Sequence, residues 1–439
     1  MLPLKHAATA LALLLTAGAA HFGVRDYCDV GTAVSGSSYE TSLSSPPPGV
    51  PGHPEWEEIA DDLSRDLQRR HLPFGTVLDP VFASPRSRRI VGYSRAGDSA
   101  IWTGHYLAAE AFRFAVTGSP DALRNARRAL DGIRSLVDVT GLDLLARAIV
   151  PVDDPYAAGI LSEEKHHGFF RGVFADRKYY WIGKTSRDQY SGVFFGLGVA
   201  WELIDDRQVR QTSQELITRL LDRLIERHWW VVMPGGRIAT LFHLRPEQQL
   251  ALLQIGRRVN PERFSEAYRQ KRSAVAGFVP LALAADLLDD HSRYFQFNLD
   301  SINLFHLLGL EEPGRYRSLY DLAYDLLRRT TSNHPNAHFH LIDHALRGPD
   351  VERDVETVRL LAAWLRRPRR DQYIDLRGEF AACGDDRACE PLPVERWVRT
   401  DFLWQRSPFL LLGGSRGTIE GAGIDFLLPY WMARYYGVL

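Results

Sequence analysis

Two kinds of helical segment alternate along this chain of 439 residues, and the alternation constrains the fold more than any other feature. Residues 101–116 are apolar on most sides, whereas residues 120–138 are amphipathic with a strongly charged face. The same pair recurs at 190–204 and 209–228. A helix that is apolar all round is buried, and a helix with a charged face lies outside it. The alternation therefore predicts an inner and an outer ring of helices.

Helical periodicity dominates after residue 54, and few alternating apolar and polar runs indicate strands. Short connections such as 117–121 and 205–207 predict antiparallel helical hairpins. The long segments 143–188 and 367–419 are expected at the opposite rim, where long loops usually carry function. One domain of hairpins arranged in a ring is thus expected over residues 55–439. The predicted helices cover 55–71, 99–117, 120–138, 189–205, 209–230, 246–257, 261–289, 300–309, 315–331, 336–346, 352–366 and 421–436.

The N-terminus has the pattern of an export signal. Lys5 and His6 precede a short apolar run, and Ala-Gly-Ala at 17–19 fits the small-x-small cleavage pattern. Residues 1–19 are therefore predicted to be a signal peptide, with an uncleaved anchor as the alternative. Residues 20–54, rich in Gly, Ser, Thr and Pro from 29 onward, are predicted to be a flexible linker. No later segment approaches the length of a transmembrane span, so we expect a secreted or periplasmic protein.

Charge and cysteine content narrow the classes further. The 53 basic and 54 acidic residues nearly cancel without a basic stripe, so we expect no nucleic-acid partner. Cys383 and Cys389 are close enough in sequence for a disulfide in an oxidising compartment, and Cys28 is left over. No phosphate-binding loop or nucleophile elbow is present, and His338-x-His340 alone is weak evidence for zinc. We therefore predict no cofactor and no metal.

Two motifs resemble the starts of inner helices in six-hairpin carbohydrate-active proteins. The first is Gly-Asp-Ser-Ala-Ile-Trp-Thr-Gly-His-Tyr at 97–106, and the second is Lys-Thr-Ser-Arg-Asp-Gln-Tyr-Ser-Gly at 184–192. The nearest resemblance is to the unsaturated glucuronyl and rhamnogalacturonyl hydrolases, and it covers about residues 90–230. It implies an all-α fold, an (α/α)6 toroid of helical hairpins, that acts on oligosaccharides through acidic residues at the barrel mouth.

Asp98 and Asp188 stand at the starts of two predicted buried helices. Helix N-termini favour carboxylates through the dipole and the free N–H groups, so simple capping is the alternative at each position. Both helix starts are expected on one rim, where two carboxylates facing one cavity would suit glycoside cleavage. The resemblance implies that an aspartate at such a position acts on the sugar. On that basis Asp188 is favoured for the acid/base role and Asp98 for its partner.

Other residues are candidates for contacting an oligosaccharide or polysaccharide substrate. Sugar sites use aromatic faces for stacking and polar groups for hydroxyls, and an arginine grips a carboxylated sugar through two parallel hydrogen bonds. Ordinary loop packing, helix capping and interior ion pairs are the alternatives at these positions. The candidates are His105, His166, His167, Tyr179, Tyr180, Trp181, Asn333, His338, His340, Trp404, Arg406 and Glu420.

We therefore expect a secreted, glycan-active glycoside hydrolase with a carboxylate pair. A polysaccharide lyase on the same fold is an alternative, because Asn333, His338 and Tyr179 or Tyr180 fit β-elimination by residue type. A non-catalytic glycan-binding or scaffold protein is another, since one fold hosts several activities. The distance between the two carboxylates discriminates among them, because about 5–10 Å favours hydrolysis.

Overall fold

A computed structural model describes residues 54–287, 294–383, 387–398 and 406–439, which form a mostly helical structure with small antiparallel sheets. The signal peptide, Cys28, the linker up to residue 53 and Trp404 lie outside these ranges, so what was predicted for them stays a prediction. In chain order the helices are α1 (Pro54–Asp66), α2 (Ser99–Thr117), α3 (Pro120–Asp138), α4 (Ala157–Glu163), α5 (Arg187–Leu203), α6 (Arg207–Glu226), α7 (Pro246–Val259), α8 (Pro261–Val275), α9 (Val279–Leu287), α10 (Phe295–Gly309), α11 (Arg315–Thr330), α12 (Ala337–Arg347), α13 (Val351–Trp364) and α14 (Ile424–Tyr435).

The alternation of helix types predicted from the sequence is confirmed by burial. Every side chain from Ser99 to Arg113 of α2 is buried, and so is every one from Gln189 to Ala200 of α5. In α3 and α6, by contrast, only one stripe of side chains is buried. Helices α7, α10, α12 and α14 are of the first kind, and α8, α11 and α13 are of the second. None of the described helices has both the length and the apolar character that a membrane span requires.

Local signals explain where the helices begin and end. Gly118 takes the left-handed conformation, with φ of 61°, and ends α2, as glycine does most easily. Ser119 then caps α3 by accepting a hydrogen bond from the Asp121 amide. Asp206 caps α6 in the same way, through the Val209 amide at 3.0 Å. These caps keep the hairpin connections short.

The predicted bounds of α2 and α3 coincide with the structure, whereas α10 starts at Phe295 rather than 300 and α1 ends at Asp66 rather than 71. Two further differences concern the number of helices. The helix expected over 261–289 is divided at Ala276–Phe278, where Gly277 and Pro280 disfavour a continuous helix. Helix α4, within the segment expected to be a loop, was not predicted.

Short strands occupy the connections between helices. The fold is therefore mostly helical rather than all-α, and the expectation of few strands was wrong in these connections. The strands are β1 (Asp79–Phe82), β2 (Ile90–Ser94), β3 (Ile149–Pro151), β4 (Phe169–Phe174), β5 (Arg177–Ile182), β6 (Trp230–Val232), β7 (Ile238–Leu241), β8 (Arg370–Asp375) and β9 (Leu412–Glu420). The sheet orders are β2-β1-β9-β8, β3-β5-β4 and β6-β7. Alternation was hard to detect in the sequence because both faces of a strand such as β4 carry apolar residues.

Cys383 and Cys389 form the disulfide that their spacing suggested, with Cα atoms 5.2 Å apart. It lies in the connection between β8 and β9. The bond links positions only six apart in sequence, so it constrains a local loop rather than the helical core.

Candidate active site

Helices α2 and α5 are held side by side by a backbone contact between glycines in their second and third turns. A Cβ atom on Gly104 would lie 2.0 Å from the carbonyl oxygen of Gly192, and one on Gly196 would lie 2.1 Å from that of Gly104. We call these three residues the glycine contact. At the helix starts, the Ile101 amide donates a hydrogen bond of 3.0 Å to Oε1 of Gln189. The two N-termini are therefore fixed relative to each other.

Asp98 and Asp188, the carboxylate pair, lie at these two N-termini and share one neighbour. Nε2 of Gln189 donates a 3.1 Å hydrogen bond to Oδ1 of Asp98 and lies 3.5 Å from Oδ2 of Asp188. The two distances together limit the separation of these carboxylate oxygens to about 6.6 Å. Glycosidases place their two carboxyl groups about 5 to 9.5 Å apart. The limit of 6.6 Å is compatible with that range.

Capping does not account for the carboxylate pair. Asp98 precedes α2, yet its side chain makes no capping hydrogen bond. Asp188 lies inside the first turn of α5, and its Oδ1 has no hydrogen-bond partner among the described residues. Both side chains are partly exposed, so a ligand can approach the two carboxylates, although Oδ1 of Asp188 is itself buried.

The pKa of Asp98 is raised to about 6. Desolvation by the surrounding protein is the main cause of this increase, and the Asp188 carboxylate adds to it. Arg147 and Arg406 act in the opposite direction and lower the pKa. The Asp98 side chain nevertheless keeps 37% of its surface accessible, which places it in a recess open to solvent rather than in the core. A carboxyl group that is both reachable and partly protonated near pH 6 can act as a general acid.

Arg147 supports the start of α2 through hydrogen bonds. No signal in the sequence indicated this role. Its guanidinium donates to the carbonyl oxygens of Gly97 at 2.6 Å and Lys184 at 3.1 Å, and also to the hydroxyl of Ser186. It therefore ties together the two segments that carry the carboxylate pair. Its Nη1 lies 3.7 Å from Oδ1 of Asp98, a longer and weaker contact.

Glu164 and His167 support the residue that precedes Asp98. Oε1 of Glu164 accepts a 2.8 Å hydrogen bond from the Gly97 amide, and Nδ1 of His167 donates to Oε2 at 2.7 Å. Burial alone would raise the pKa of Glu164, but these two hydrogen bonds lower it overall. The ring of His166 lies 3.9 Å from that of His167. Two predicted binding residues are thus brought close to Asp98.

A second group of charges lies buried near the carboxylate pair. Arg245 contacts Asp286 at 2.9 Å, Glu247 at 3.0 Å and Asp300 at 3.9 Å. Burial raises the pKa of Glu247 to about 7 and that of Asp300 well above its ordinary value, although Arg245 opposes both shifts. Burial and then Arg245 lower the pKa of Arg187, which also feels the charge of Asp188. Arg187 therefore couples this group electrically to the pair.

The three candidate histidines of the inner helices are core residues. His105 is fully buried and donates from Nδ1 to the Ile101 carbonyl at 2.8 Å, and burial lowers its pKa to about 4. His338 packs against it, with ring centroids 6.1 Å apart. His340 lies 3.3 Å from the Thr357 hydroxyl, and burial lowers its pKa to about 3. All three are neutral near pH 7.

The aromatic candidates of β5 divide by burial. Trp181 is only 2% exposed and stacks on Phe170, with ring centroids 4.4 Å apart. Its ring is therefore packed inside the protein and offers no surface to a sugar. Tyr179 and Tyr180 are partly exposed. Arg171 lies over the Tyr180 ring. Only the two tyrosines offer surface to a ligand.

The remaining candidates lie in different surroundings. Asn333 is exposed in the turn before α12, and the capping there is done by Asn336. Glu420 is buried at the end of β9 in ion pairs with Arg70 at 2.7 Å and Arg370 at 3.0 Å. Arg406 acts electrostatically on Asp98. The structure therefore places His166, His167 and Arg406 near the pair, and gives Glu420 other partners.

The chain matches no model of a known protein family and no curated protein sequence. Its own residues therefore carry the functional argument.

Proposed function

We propose that this protein is a glycan-active hydrolase built on an (α/α)6 toroid. The packing order of the buried helices supports the toroid: α2 contacts α5, and the series continues through α7, α10, α12 and α14 back to α2. Amphipathic helices pack outside them, with α1 taking that place beside α14. Since hairpin connections make the buried helices parallel to one another, their starts lie on one rim. The carboxylate pair is at that rim.

The observation that carries the catalytic proposal is the shared hydrogen-bond donor between two carboxylates within about 6.6 Å. Asp98, with its raised pKa, would donate a proton to the glycosidic oxygen as the bond to the leaving sugar breaks. Asp188, whose side chain is partly exposed, would attack the anomeric carbon or activate the water that does so. These roles are the reverse of those favoured by the sequence.

A screen of neutral, amino and acidic oligosaccharides tests this proposal. We expect new reducing ends without the ultraviolet absorbance of a new double bond. Absorbance would indicate a lyase, for which the buried state of His338 offers no support. Binding to a sugar without either signal, across the whole panel, would favour the non-catalytic alternative and contradict a hydrolase.

The pH dependence of kcat/KM should show the ionisation of Asp98. If Asp98 is the proton donor, kcat/KM on a confirmed substrate falls tenfold per pH unit above about 6, its raised pKa. Glu164→Gln removes a negative charge that helps to raise this pKa, while the amide oxygen can still accept from Gly97. We expect its alkaline limb to move to lower pH. Profiles that remain flat from pH 5 to 8 would contradict the assignment.

We also propose that the protein is exported, with its signal cleaved near Ala19. The disulfide between Cys383 and Cys389 supports an oxidising destination. The intact mass of protein recovered from the cell envelope or medium should lack residues 1–19. A mass that includes the N-terminal methionine and the apolar run would contradict cleavage.

A further inference from the structure

Two clusters in the described ranges each bring three potential metal ligands within 4.8 Å of one another. One consists of Glu164, His166 and His167, and the other of Asp66, His71 and Glu420. The two clusters differ in what else contacts their ligand atoms. That difference decides which of them can accept a cation.

The cluster around Glu420 is already neutralised by arginines. Arg70 lies 2.7 Å from Oε1 of Glu420, Arg370 lies 3.0 Å from Oε2, and Arg369 lies 2.9 Å from Oδ2 of Asp66. A divalent cation there would face three guanidinium groups at close range. This cluster is an ion-pair network, and its carboxylates are compensated within the protein.

In the cluster around Glu164, the ion pair found among the described residues is with His167 rather than with an arginine. The nearby guanidinium of Arg147 is turned to the carbonyl oxygens of Gly97 and Lys184. One oxygen of Glu164 is held by the Gly97 amide, which leaves the other oxygen to His167. The His166 side chain is exposed beside the His167 ring, so its imidazole can rotate toward a bound metal ion.

We propose that Glu164, His166 and His167 form a binding site for a divalent transition-metal ion, with zinc as the preferred occupant. Two imidazoles and one carboxylate are a donor set that zinc takes in proteins, with a fourth position open to water or substrate. The Gly97 amide would orient the carboxylate ligand from the outer shell. The cluster adjoins Asp98 through Gly97, but the metal-binding proposal does not depend on the hydrolytic one.

The surroundings of the cluster support the proposal. A Cβ atom on Gly97 would lie 2.8 Å from Oε2 of Glu164 and 3.0 Å from Cε1 of His167. Because Gly97 has no side chain, the Glu164 carboxylate and the His167 imidazole can approach each other beside it.

The test uses the full-length mature protein without a histidine tag, stripped by a chelator and dialysed. Zinc is titrated against a chromophoric competitor, and cobalt is added separately to record its visible absorption. We expect one zinc per chain and the intense visible bands of four-coordinate cobalt. His166→Asn should weaken zinc binding by more than about 10–100-fold, the range for loss of an outer-shell partner alone.

The matched control is His228→Asn, which removes another exposed histidine from a different connection. Asparagine tolerates the left-handed backbone found at that position. The control should bind zinc as the parent protein does, and circular dichroism should show both variants folded. Equal zinc affinity in the parent and His166→Asn, or the absence of a stoichiometric site, would overturn the proposal.

Discussion

Asp98→Asn and Asp188→Asn are each expected to lower kcat/KM on a confirmed glycan substrate by about 10²- to 10⁴-fold, the usual contribution of general acid–base catalysis. Asparagine keeps the shape of the side chain but can neither donate nor accept the proton. The loss should therefore appear in kcat, with the folded structure retained. Steady-state kinetics on purified variants measures it.

The stability of Asp98→Asn gives an independent readout. Because the folded-state pKa of Asp98 is raised from 3.8 to about 6, its ionisation destabilises the folded protein. Stability that is fully present below about pH 4 is lost as the pH rises through 6. Asp98→Asn cannot ionise, so its Tm should exceed that of the parent at pH 8, and the gain should vanish at pH 4.

Asp206→Asn is the matched control, because Asp206 is an aspartate that does cap a helix. It should keep full activity, since asparagine caps about as well as aspartate. If both variants of the carboxylate pair also kept full activity on that substrate, the carboxylate mechanism would be wrong.

Gly104→Ala is expected to destabilise the protein by about 1–3 kcal/mol or more, the usual cost of overpacking. Its methyl group would lie 2.0 Å from the Gly192 carbonyl oxygen, which belongs to the backbone of α5 and cannot rotate away. Helices α2 and α5 must separate to admit it. Urea denaturation followed by circular dichroism measures the free energy of unfolding.

Gly159→Ala provides the comparison, because it makes the same substitution within helix α4. A Cβ atom there meets nothing within 4 Å, so alanine should be neutral or stabilise the helix by up to about 1 kcal/mol. Similar unfolding free energies for the two variants would contradict a tight backbone contact at Gly104.

Much of the helical fold could be predicted because its signals are local. The apolar periodicity of α2 and the Ser119-Pro120 start of α3 depend only on residues close in sequence. The candidate pair was also accessible, because Asp98 and Asp188 each mark the start of a buried helix. Two starts of the same kind suggested one shared rim.

The environment of the pair could not be predicted, because it is built by contacts between distant segments. Gln189 reaches Asp98 across 91 positions, and Arg147 reaches Gly97 across 50. Arg245 and Asp300 meet only because α10 packs on α7. For the same reason the sequence could not show that His105 and His338 face each other in the core.

The glycine contact separates positions where any side chain must displace a backbone from positions where it need not. A side chain at Gly104 or Gly196 would meet the backbone of the facing helix, so a substitution there must move α2 and α5 apart. The hairpins β4–β5 and β6–β7 lead into α5 and α7 and carry exposed side chains such as Phe169 and Trp230. A library that randomises those exposed positions could search for new ligands while inheriting an unaltered pair of aspartates.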